Sequence, residues 1–71
     1  MNTDNLRRMA NQIASNLEAQ GADAAAQATC RHIRDFWTPA MQAAIIAAPQ
    51  GLSPIAARAI GLLAERPVDP A

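Results

Sequence analysis

The sequence contains no lysine and no tyrosine, and only one cysteine, one histidine, one phenylalanine and one tryptophan in 71 residues. Each shortage excludes something. The single cysteine, Cys30, cannot close an internal disulfide, and one Cys with one His cannot supply the four ligands of a closed structural zinc site. An unpaired thiol fits a reducing compartment. Six arginines face six acids, for a formal net charge of zero. No basic run is available to neutralise a row of phosphates, which argues against nucleic acid as a partner. No stretch approaches the roughly 18 uninterrupted apolar residues of a membrane span, and residues 1–8 lack the apolar region of a signal peptide. The expectation is a cytoplasmic protein that engages neither nucleic acid nor membrane.

What is abundant is alanine. Hydrophobic residues make up 51% of the chain, and alanine fills 18 of those 36 positions. Each alanine buries little area, so the percentage overstates the core that can be built. A domain of this length is marginal alone and usually needs a disulfide, a metal or a partner. With the first two excluded by composition, a partner remains. The small alanine faces are expected to let a larger protein's surface approach closely.

Punctuation and period place four helical segments in one small helical domain over residues 1–66, followed by an extended tail at 67–71. The first runs from about Asp4 to Gln20, with Thr3 as cap and Leu6, Met9, Ala10, Ile13 and Leu17 as its apolar stripe. Gly21 can stop it by entering the left-handed region. The second runs from about Ala24 to Phe36 or Trp37, capped by Asp23. Thr38 and Pro39 interrupt it, because the residue before proline leaves the helical region, and the same pair starts a third helix. That helix carries Met41, Ala44, Ile45 and Ala48, while Ile46 off the stripe hints at a second buried face. Ser53 and Pro54 open the last helix, which reaches Ala64 or Glu65. No strand-like alternation and no repeat is present. The fold class is all-α, a small bundle of three to four short helices.

Few residues suggest chemistry. Cys30 and His32 are two positions apart and point about 200° away from each other on a helix, so they do not form a nucleophile pair. No carboxylates are grouped as a metal site, and Gly21, Gly51 and Gly61 are too scattered to cradle phosphate. Asp35 follows Arg31 by four positions and reads as a helix-face pair. Gly61 in mid-helix costs roughly 1 kcal/mol relative to Ala, and either the close approach of another backbone or simple tolerance accounts for it. Arg8, Asn11 and Gln12 share a polar stripe that offers a forked donor and two amides, suited to backbone or carboxylate groups or merely to water. Phe36 and Trp37 diverge by about 100°, so one ring can enter the core while the other anchors an interface, unless both pack across the corner.

Three strings together resemble the delta subunit of soluble NAD-dependent formate dehydrogenase. They are Leu6-Arg7-Arg8-Met9-Ala10-Asn11-Gln12-Ile13-Ala14, then His32-Ile33-Arg34-Asp35-Phe36-Trp37-Thr38-Pro39-Ala40-Met41, then Gly51-Leu52-Ser53-Pro54 with Ala57 and Ala59. Order and spacing match over roughly residues 5 to 60. The chain departs from the family pattern at Ala40 and Gln42, where basic residues are common. The resemblance implies a non-catalytic accessory subunit that binds no cofactor itself. It docks on the catalytic (alpha) subunit and supports assembly or stability of its cofactor-loaded state. Other subunits then carry the bis-molybdopterin guanine dinucleotide with molybdenum or tungsten, the iron–sulfur clusters and FMN. The docking surface expected from these strings comprises Arg8, Asn11, Gln12, His32, Phe36, Trp37, Pro39 and Met41. The alternative is a stand-alone helical regulator or adaptor acting as a homodimer.

Overall fold

In the computed structural model, which describes residues 2–65, the chain forms four α-helices. Helix α1 spans Thr3–Leu17 and tightens into a 3-10 turn at Glu18–Gln20. Helices α2, α3 and α4 span Ala22–Phe36, Pro39–Ala47 and Pro54–Glu65. No strand occurs among the described residues, so the all-α expectation holds. The extended tail expected at 67–71 lies outside the described residues, as does Arg66.

The helix starts differ from the sequence reading at two places. Asn2, not Thr3, caps α1: its backbone is extended and its Oδ1 accepts the Asp4 N–H at 2.9 Å. Asn is at least as good a cap as Thr, and capping one residue earlier lets Thr3 join the helix. Helix α2 begins at Ala22 behind Gly21 rather than behind Asp23. Gly21 has φ 98° and ψ 151°, a combination essentially reserved for glycine. Asp23 therefore falls in the first turn of α2, where it pairs with Arg58 of α4. Both ends of that pair are well exposed, so it contributes little stability.

The two proline starts behave as expected. Thr38 is extended ahead of Pro39, and its Oγ1 accepts the Met41 N–H at 3.2 Å. Ser53 Oγ accepts the Ala56 N–H at 3.3 Å at the start of α4.

Helix α4 packs against all three other helices, most extensively against α2. The shared core joins Leu6, Ala10 and Ala14 of α1, Cys30 and Ile33 of α2, Trp37, Ile45 of α3, and Ala56, Ala59, Ile60 and Leu63 of α4. Ile46 also packs against this core, so α3 does present a second partly buried face. Six alanines (10, 14, 25, 26, 56 and 59) are fully buried. They let α1, α2 and α4 approach one another closely, while eight other alanines of the described residues, among them Ala24, Ala43 and Ala57, stay exposed. A further tie closes the α2–α3 corner. Gln42 is buried, and its Nε2 donates to the Trp37 carbonyl at 2.9 Å, with longer bonds to the Ile33 and Arg34 carbonyls. The departure from the family pattern at position 42 is thus an interior cap on the end of α2.

The remaining glycines test this packing. Gly61 is exposed on α4, and a Cβ there meets nothing within 4 Å. No backbone of the described chain approaches it closely. Gly61→Ala should raise stability by roughly 1 kcal/mol, a gain of several degrees in Tm. Gly51, at φ 82°, should respond oppositely, losing roughly 1–2 kcal/mol as alanine. Thermal unfolding of the two variants followed by circular dichroism checks both signs.

Candidate functional site

The polar stripe of α1 divides into two kinds of residue. Asn11 turns inward toward the connector between α3 and α4. Its Nδ2 donates to the Gly51 carbonyl at 3.1 Å, and its Oδ1 accepts the Ser53 N–H at 2.8 Å. One turn earlier, Arg7 donates from Nη1 to the Ala48 carbonyl at 3.1 Å and pairs with Asp4. Its stem also runs alongside Gly51. Arg7 and Asn11 together clamp the connector and position the start of α4. The sequence reading did not single out Arg7, although its i, i+4 spacing to Asn11 was the available signal. Arg8 and Gln12 are exposed, and Gln12 donates to Asn16 Oδ1 one turn along the same helix. Beside the clamp lies a groove of about 530 Å³ with a mixed lining that includes Asn11, Glu18, Ser53 and Ile55.

The aromatic corner separates its two rings. Trp37 is 6% exposed and belongs to the core, whereas Phe36 is 74% exposed. Of the two arrangements open to the sequence, one ring in and one ring out is the one observed. Phe36 lies against the His32 ring at a centroid distance of 4.8 Å. The two sit one turn apart and line a shallow groove of about 280 Å³ together with Leu17, Ala28, Arg31 and Asp35. Pro39 is exposed, and Met41 is half-buried against the core. The expected surface is thus not one patch. Phe36 and His32 stand together on α2, Arg8 and Gln12 lie on α1, and Asn11 and Trp37 are committed to the chain's own fold. The Arg31–Asp35 helix pair is not formed, unlike Arg7–Asp4 and Arg58–Asp23.

Cys30 is buried, and burial pushes its thiol above the usual cysteine range; Arg34 lowers it and Glu65 raises it by smaller amounts. His32, two residues on, is exposed on another face. The thiol therefore stays neutral and enclosed, apart from the imidazole. Among the described residues, no three His, Cys, Asp or Glu side chains come together as a metal-holding group. No helix among them is long and apolar enough to cross a membrane.

These features define a small all-α domain with a buried thiol, an internal backbone clamp and one exposed aromatic pair. The chain belongs to the family of the NADH-dependent formate dehydrogenase delta subunit, FdsD, whose model matches residues 5–60. No curated protein and no solved structure matches it in the corresponding comparisons. The matched span covers the Arg7–Asn11 clamp, the connector it holds and the aromatic corner. Two of the strings that carried the resemblance therefore contact each other directly, at Asn11 and the Gly51–Ser53 backbone.

Asn11→Ala should cost roughly 1–2 kcal/mol, the net worth of two hydrogen bonds to the connector, one exposed and one part-buried. Arg8→Ala and Gln12→Ala should stay within about 0.5 kcal/mol, as exposed substitutions do. Urea denaturation of the three variants separates clamp from surface. Cys30 adds a pH dependence with a definite sign. Its folded pKa lies above its unfolded value, so the unfolded chain loses its proton first. The stabilisation is complete below the unfolded pKa and is lost as pH rises toward the folded one. Stability should fall on the alkaline side of pH 9, the ordinary value for this thiol. Cys30→Ala should flatten that fall in denaturation curves taken across the range.

Proposed function

We propose that this chain is a non-catalytic accessory subunit of a cytoplasmic NAD-dependent formate dehydrogenase. It docks on the catalytic subunit and supports assembly or stability of that subunit's cofactor-loaded state. The observation that carries the reading is the Phe36–His32 pair in a chain of this family. An aromatic ring left three-quarters exposed, when the core has room for few large side chains, is the kind of residue that anchors an interface. Met9, 41% exposed on α1, is the other large apolar side chain left at the surface among the described residues. The molybdenum or tungsten pterin, the iron–sulfur clusters and FMN belong to the other subunits in this reading. Its support is membership in the family.

The roles of the two neighbouring aromatics make the reading testable. Phe36→Ala should leave helix content and Tm nearly unchanged, yet reduce co-purification of the catalytic subunit by roughly tenfold or more, as a lost anchor does. Trp37→Ala should instead lower stability by roughly 3–5 kcal/mol, as buried aromatics do. A Phe36→Ala chain that retains the catalytic subunit in full, with unchanged metal content in the complex, would overturn the docking assignment.

A further inference from the structure

The exposed face of α2 fits a second copy of itself. Phe36 stands out at one end of a shallow groove that it lines together with His32, Arg31 and Asp35, and the small Ala28 and Leu17 line the other end, two turns earlier. Arg31 and Asp35 lie one turn apart, opposite in sign and both exposed. Neither is engaged by an ion pair among the described residues. An isologous dimer requires the same patch to be complementary to itself about a two-fold axis.

Two antiparallel copies of α2 meet that requirement twice over. An axis at the level of residue 32 sets each Phe36 over the other copy's Ala28. An axis at the level of residue 33 sets each Arg31 against the other copy's Asp35. The two levels differ by one residue, about 1.5 Å along the helix. Shape and charge therefore call for nearly the same axis, although each is set by different side chains. A specific contact at the small end of the range, roughly 1,000 Å² in total, takes about 500 Å² from each copy. That is a modest share of the 4416 Å² the chain exposes, and it suits a reversible dimer.

We infer that the free subunit self-associates as a two-fold dimer through the α2 face, with Phe36 of each copy over the Ala28–Leu17 end of the other's groove and reciprocal Arg31–Asp35 pairs. The dimer itself stands apart from the docking reading. Its consequence rests on that reading: one ring cannot serve both contacts, so the dimer shields the docking residue until the catalytic subunit displaces the second copy.

The test is sedimentation equilibrium of the full chain over a range of concentrations, with circular dichroism to confirm unchanged helix content. The wild type is expected to show a concentration-dependent monomer–dimer equilibrium. Arg31→Asp alone and Asp35→Arg alone should each weaken it roughly tenfold or more, because like charges then face each other. The double exchange Arg31→Asp with Asp35→Arg should restore the dimer. An equimolar mixture of the two single variants should form a heterodimer, since both of its pairs are again opposite in sign. A wild type that stays monomeric throughout overturns the inference. A dimer that neither the double variant nor the mixture restores overturns the two-fold pairing. Co-purification with the catalytic subunit is read separately. A Phe36→Ala chain that no longer dimerises but still docks in full defeats the docking reading and leaves the dimer standing.

Discussion

The fold hangs on a side chain that acts as a piece of backbone. The amide of Asn11 offers both donor and acceptor groups, and the connector between α3 and α4 uses one of each: a donor for the Gly51 carbonyl and an acceptor for the Ser53 N–H. Arg7 takes the Ala48 carbonyl one turn away. Everything else follows from where this clamp puts Pro54, because α4 is the helix against which the other three pack. A chain with so few large side chains gains little from displacing α4, and the clamp gives it one position in which the buried alanines can meet.

Alanine then has a different meaning from the one composition suggests. A core with few large residues looks deficient if size is taken as the measure. In this bundle the six buried alanines bring helix backbones close together, so Ile33, Ile45 and Leu63 can be fully enclosed. Close approach substitutes for bulk. The large side chain left over, Phe36, is outside because the interior is already filled by Trp37 at the same corner.

Local signals carried much of this. Thr38-Pro39 and Ser53-Pro54 mark two helix starts through chemistry that acts within three residues, and each is found where the sequence places it. The starts of α1 and α2 were harder to read because two neighbouring residues could each serve. Asn2 competes with Thr3, and the unusual conformation of Gly21 releases Asp23 from capping. The separation of Phe36 from Trp37 follows from a 100° turn per residue, but the direction of the core from that corner is set by α4, far along the chain. Asn11 shows the limit most clearly. Its capacity to hold backbone groups is evident from its side chain, whereas the identity of those groups depends on residues about forty positions away. Arg7 was obscured for the same reason, and the interior role of Gln42 emerges only once α2 and α3 meet.

The reach of the clamp also bears on how the chain acquires its shape. Contacts between residue 11 and residues 51–53 close a loop that contains most of the described chain, and such closures are late and slow compared with local helix formation. Helix α1 can meet α2 before the connector exists, but the helix that packs on all three others comes from residues 54–65. Until α4 is available, α1 and α2 can pack on each other, but the larger α2–α4 contact and the apolar α3 stay without their partner. During that interval the chain's exposure to chaperones and proteases is greatest, long before any mature surface is formed.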